Sequence, residues 1–154
     1  MLGFRTFKRL TLAAAAGAVI ATTAGFDRPA AAPVEVTVYK TPTCGCCQKW
    51  VSHLEANGFK VKTVDLEDLA EVKGLQGVPD DLQSCHTAVV GKYVVEGHVP
   101  AADIHRLLKQ QPKVLGLAVP GMPMGSPGME GPRKDKYDVL TFDRGGRTAV
   151  FASH

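Results

Sequence analysis

The stretch VEVTVYK, Val34 to Lys40, alternates apolar and polar positions with the period of two expected of a half-buried strand. TPTCG follows as a turn, and the apolar spacing then becomes helical. Cys47, Trp50, Val51 and Leu54 fall on one stripe, closed by Asn57-Gly58. FKVKTVD, Phe59 to Asp65, alternates again and predicts a second strand. LEDLAEVKGLQGV, Leu66 to Val78, reads as a short helix with acidic residues in its first turn, where the helix dipole favours them. HTAVV and YVVEG flank Gly91-Lys92 as a hairpin. Pro100 then opens a helix carrying Ile104, Leu107 and Leu108, which Pro112 stops.

Strand, helix, strand, helix, hairpin, helix, with a Cys-X-X-Cys at the first strand-to-helix junction, predicts an α/β fold with a thioredoxin-like core over residues 33–112. Residues 113–154 are set apart from that core within the same domain. VPGMPMGSPGMEGP holds too much glycine and proline for helix or strand and reads as a loop. YDVLTFD, RGG and RTAVFASH close the chain as a β-hairpin.

The N-terminus changes the count of what folds. Arg5, Lys8 and Arg9 precede an apolar, alanine-rich run from Leu10 to Ala24, followed by small residues. That is the pattern of a signal peptide within residues 1–32, cut near Ala24 or within Ala30 to Ala32. The expectation is an exported protein, free of stable membrane insertion once the leader is removed, because the run is short for a spanning helix. Losing the three leader cations cancels the chain's formal charge of +3, leaving 15 basic and 15 acidic residues. A neutral chain without a basic, aromatic-interleaved stripe does not suggest a nucleic-acid surface. Export also places the four cysteines where a disulfide can persist.

Three of those cysteines, Cys44, Cys46 and Cys47, occupy four positions at the start of the first helix. The first thiol of a Cys-X-X-Cys there is the exposed one, favoured as thiolate by the helix N-terminus, and the second faces inward. Cys44 is then the nucleophile and Cys47 the resolving thiol. Cys46, about 100° around the helix from Cys47, has no part in that exchange. In thioredoxin-like folds the loop before the hairpin faces the Cys-X-X-Cys and usually carries a proline. Here it reads LQSCHTAVV, and Cys85-His86 offers soft and borderline ligands instead. On a strand the two side chains would diverge, so only an irregular loop lets both converge. His98, before the third helix, is a further candidate ligand, whereas His53 and His105 read as surface residues. Met122, Met124 and Met129 share one Gly/Pro loop and none lies on an amphipathic stripe. Thiolates with thioethers select Cu(I) over harder cations.

PTCGCCQKW, GVPDDLQSCHTAVVGKYVVEGHVPA and GLAVPGMPMGSPGME together resemble the exported copper-resistance proteins called CopG, from Val34 to about Glu130; the closing hairpin fits more loosely. The resemblance implies a periplasmic, thioredoxin-like protein that binds copper through clustered cysteines and has redox activity. By position it implies metal ligation by Cys44, Cys46, Cys47, Cys85, His86, His98, Met122 and Met129, with Met124 at a variable place.

Three readings stay open. A copper-binding protein contributing to copper resistance, its thiols bridging several Cu(I) ions in a multinuclear cluster, explains Cys46. A thiol–disulfide oxidoreductase cycling Cys44 and Cys47 explains the fold, but neither Cys46 nor Cys85. A disulfide-stapled domain would pair either Cys44–Cys47 with Cys46–Cys85 or Cys44–Cys46 with Cys47–Cys85. Other periplasmic copper-handling proteins are the expected partners of the first reading.

Overall fold

The structure, a computed structural model, describes Gly3 and residues 32–154. The signal-peptide reading therefore lies almost wholly outside the described residues. Among the described residues seven strands and three α-helices follow one another as β1 (Val34–Lys40), α1 (Gly45–Ala56), β2 (Phe59–Asp65), α2 (Ala70–Gln76), β3 (His86–Val90), β4 (Tyr93–Glu96), α3 (Ala101–Gln110), β5 (Gly116–Ala118), β6 (Asp138–Phe142) and β7 (Thr148–Ser153). A short 3-10 turn, Asp80–Leu82, lies between α2 and β3. One mixed sheet takes all seven strands in the order β2-β1-β3-β4-β5-β6-β7. The β1–β2 and β4–β5 pairs are parallel and the others antiparallel.

Helices cover both faces. Trp50, Val51 and Leu54 of α1 and Ile104 and Leu107 of α3 pack with Val36, Val38, Ala88, Val90 and Val95 of the sheet. On the other face Val78 and Leu82, from the segment after α2, pack with Val94, Ala118 and Phe142. Being covered on both sides, β4 is buried at all four positions. The bounds read for β1 and β2 match the observed strands, and the stripe read in α1 is its buried face.

Two expectations need correction. The second helix begins at Ala70, not Leu66, because the Asp68 carboxylate accepts the Ala70 N–H at 2.9 Å; Glu67 and Asp68 stand before the helix, and Glu71 is the acidic residue of its first turn. The chain from Lys113 on is also not apart from the core. β5 lies beside β4, and Leu117, Val119 and Val139 join the main apolar cluster. Gly116 permits this, since a Cβ there would strike the Val94 backbone across the β4–β5 pair.

Candidate metal centre

The centre lies where β1 runs into α1, opposite the bend that leads into β3. Cys44 is the N-cap of α1, half-buried, and its sulfur accepts the Cys47 N–H at 3.3 Å. Cys47 is fully buried and joined to Cys44 by a disulfide; Cys46 and Cys85 are free and half-buried. Cys46 is half-buried where Cys47 is fully buried, and its Sγ lies 3.5 Å from Cys44 Sγ. Cys47 Sγ lies 3.7 Å from the Cys85 carbonyl oxygen. In the disulfide it has no proton to give, but reduction would make that contact a weak S–H donor bond.

Cys85 joins two groups of donors. Its sulfur lies within 4.8 Å of those of Cys44, Cys46 and Cys47, and within the same limit of one nitrogen each of His86 and His98. The bend at Cys85 makes this possible. Because β3 starts only at His86, both side chains converge, with His86 Nδ1 at 3.3 Å and His98 Nε2 at 3.0 Å from Cys85 Sγ.

The tautomers follow from the partners. His98 Nδ1 lies 2.7 Å from the Pro127 carbonyl, which can only accept, so Nδ1 carries the proton and Nε2 turns its lone pair to Cys85. An imidazole whose second nitrogen donates to a backbone carbonyl is set up as a metal ligand. His86 is buried, tilted against Trp50 with ring centroids 4.3 Å apart, and its Nε2 has no hydrogen-bond partner. Burial, helped by the nearby His98 and Lys73, pushes the His86 imidazole down to about 3, so the ring is neutral and able to ligate. His98 is lowered as well, chiefly by burial. Sulfur and neutral imidazole suit a soft or borderline metal ion, and the unpartnered Nε2 of His86, on a ring whose Nδ1 faces the Cys85 sulfur, is ligating capacity to spare.

The methionine loop reaches the centre through its backbone. Gly128, at φ +88°, sits so close that a Cβ would come within 2.7 Å of the Cys46 carbonyl oxygen and 3.2 Å of His98 Nδ1. Met129 is half-buried next to it, whereas Met122 is 51% exposed. His53, read as a surface residue, is half-buried and its Nε2 accepts the Ala101 N–H at 3.1 Å. His105 is exposed and stacked on Phe59. Two residues that the sequence reading passed over, Lys73 and Glu96, form a buried ion pair behind the Cys85 bend. Only the three-dimensional pairing of α2 with β4 reveals them.

Residues 82–129 match the family model described as "Protein of unknown function, DUF411". Two solved structures, titled copper resistance protein CopG, Form 1 and Form 2, are each 49% identical to the chain, with a TM-score of 0.75. Each match covers 79% of this chain and 98% of the other. The chain belongs to the CopG family. No curated protein matches. Membership in that family and a cysteine cluster able to hold a metal together support a copper-related function for this CopG-family chain. No helix of the described residues is long and apolar enough to cross a membrane.

Proposed function

We propose that this CopG-family protein binds copper as Cu(I) in the periplasm and contributes to copper resistance or homeostasis. Its ligands are Cys44, Cys46, Cys47, Cys85, His86 and His98. The observation that carries this reading is the position of Cys85, one sulfur within ligating reach of three other sulfurs and two neutral imidazoles. Four sulfurs allow several Cu(I) ions to be bridged, which gives Cys46 a purpose that disulfide exchange does not. Met122 and Met129 add thioethers from the neighbouring loop. The β1-α1-β2 unit with its Cys-X-X-Cys fits a thioredoxin-like plan, with residues 1–32 as the export signal.

The Cys44–Cys47 disulfide favours a second activity at the same place. It can take two electrons and two protons from a dithiol, which becomes a disulfide, while Cys44 and Cys47 return to thiols. Redox then governs metal capacity, since the disulfide removes two of the four sulfurs from ligation. Copper analysis of the mature protein, reduced under anaerobic conditions and separately oxidised, tests both statements. The reduced form is expected to hold more Cu(I) and to prefer it to Zn(II) under chelator competition. Equal retention of zinc would remove the copper assignment, and equal copper in both redox forms would remove the redox control.

A further inference from the structure

Among the ion pairs of the described residues, only Lys73–Glu96 has both side chains buried, at 7% and 0% exposure. Taking two charges out of water commonly costs more than their attraction returns, so an apolar pair would serve packing as well. What Glu96 does that an apolar residue cannot is accept hydrogen bonds on both flanks of the Cys85–His86 dipeptide. Its Oε1 accepts the Ser84 N–H at 2.6 Å and Lys73 Nζ at 2.5 Å, and its Oε2 accepts the Thr87 hydroxyl at 2.6 Å. Lys73 also donates to Thr87 Oγ1 at 3.0 Å. The strand register sets Thr87 opposite Glu96, and Gly97 N–H donates to the His86 carbonyl at 3.1 Å. Ser84 and Cys85 precede β3 and have no ladder of their own; the carboxylate holds the Ser84 N–H, while the Ser84 hydroxyl donates to the Gly121 carbonyl at 2.6 Å.

We propose that Glu96, held by Lys73 and Thr87, is a positioning residue that fixes the Ser84–Cys85 bend and so aims the Cys85 thiol at the helix-start thiols and at His98. Its purpose rests on the copper reading of that site; its geometry does not.

The test uses the metal-free protein in its Cys44–Cys47 disulfide form, whose free thiols are Cys46 and Cys85. Alkylation by iodoacetamide, read peptide by peptide by mass spectrometry, gives the Cys85 rate with Cys46 as internal reference. The double variant Lys73→Met/Glu96→Leu removes both charges and the acceptors. The Cys85-to-Cys46 ratio is expected to rise roughly tenfold, the effect of losing a charge-assisted hydrogen bond. Lys73→Met/Glu96→Gln removes the charges but keeps an amide oxygen for Ser84, and the ratio is expected to stay near the parent's. Thr87→Val, which loses one flank bond, should raise the ratio severalfold and decides the matter if the leucine variant does not fold. Ile104→Val, a core control, should leave it unchanged. An unchanged ratio in the leucine variant, an equal rise in both double variants, or a matching rise in Ile104→Val would overturn the proposal. Reduced samples titrated with Cu(I) should show weaker binding in the leucine variant than in the glutamine variant. If the parent itself takes up no Cu(I), the copper reading fails, and the alkylation ratio still judges the clamp.

Discussion

Cys85 keeps its proton in the metal-free protein, because burial, reinforced by neighbouring Cys46, pushes its thiol up to about 12. A metal must displace that proton, so Cu(I) uptake near neutrality should acidify a weakly buffered solution and should weaken as pH falls. Copper binding with no proton release would mean that Cys85 is not a ligand. Cys46→Ser replaces a soft sulfur by a hard oxygen at the thiol that disulfide exchange does not need. Cu(I) affinity or stoichiometry should drop, affinity by roughly tenfold or more. Any disulfide reductase activity measured without metal should stay within a few-fold of the parent. Intact copper binding with lost reductase activity would instead make Cys46 a redox thiol. His86 gives a second pH-dependent prediction, for stability. Its folded value is about 3 against an ordinary 6.5, so between those pH values the unfolded chain binds a proton that the folded protein refuses. The stability due to neutral His86 is full above that window and is lost as pH falls through it. The melting temperature of the metal-free protein should therefore drop more from neutral pH to the middle of the window than that of His86→Gln. Equal drops would show that burial of the ring has no titration cost.

At the level of elements, the sequence announces what is periodic or punctuated. β1, β2, α1 and the β3–β4 hairpin were legible from alternation, one apolar stripe and a Gly-Lys turn. β5 was not, for three residues that begin with glycine and end just before Val119-Pro120 have no period, and only pairing with β4 makes them a strand. The four cysteines were legible as a cluster because the Cys-X-Cys-Cys run and the facing SCH loop carry their own chemistry. Glu96 and Lys73 were not, since each looks like an ordinary polar residue until strand register and helix packing bring them behind Cys85. The methionine loop was legible by composition, whereas its seat on α1 depends on one glycine. Gly128→Ala adds a Cβ at a positive φ against the Cys46 carbonyl and His98. It should cost ~1–3 kcal/mol and lift the loop from His98. Denaturant unfolding checks the first effect, and a changed His98 ring signal in NMR checks the second. An alanine variant as stable as the parent would show that the loop does not bear on the centre.

Across the whole molecule, the sheet joins the site-bearing strands at one side to the closing hairpin at the other, so the last forty residues complete the core that the earlier strands begin. The end of that sheet has its own consequence. Among the described residues β7, Thr148–Ser153, borders no further strand, contains no charged residue or proline, and leaves Val150 60% exposed, with the Phe151 carbonyl accepting from Arg106 at 2.6 Å. An open rim of that kind offers unpaired peptide groups as a template for another chain, and lysine is a usual guard against it. Colloidal behaviour at high concentration should therefore be governed by a flank remote in sequence from the cysteines. Val150→Lys should suppress light scattering in concentrated samples without altering copper uptake, and scattering that persists unchanged would place the sticky surface elsewhere.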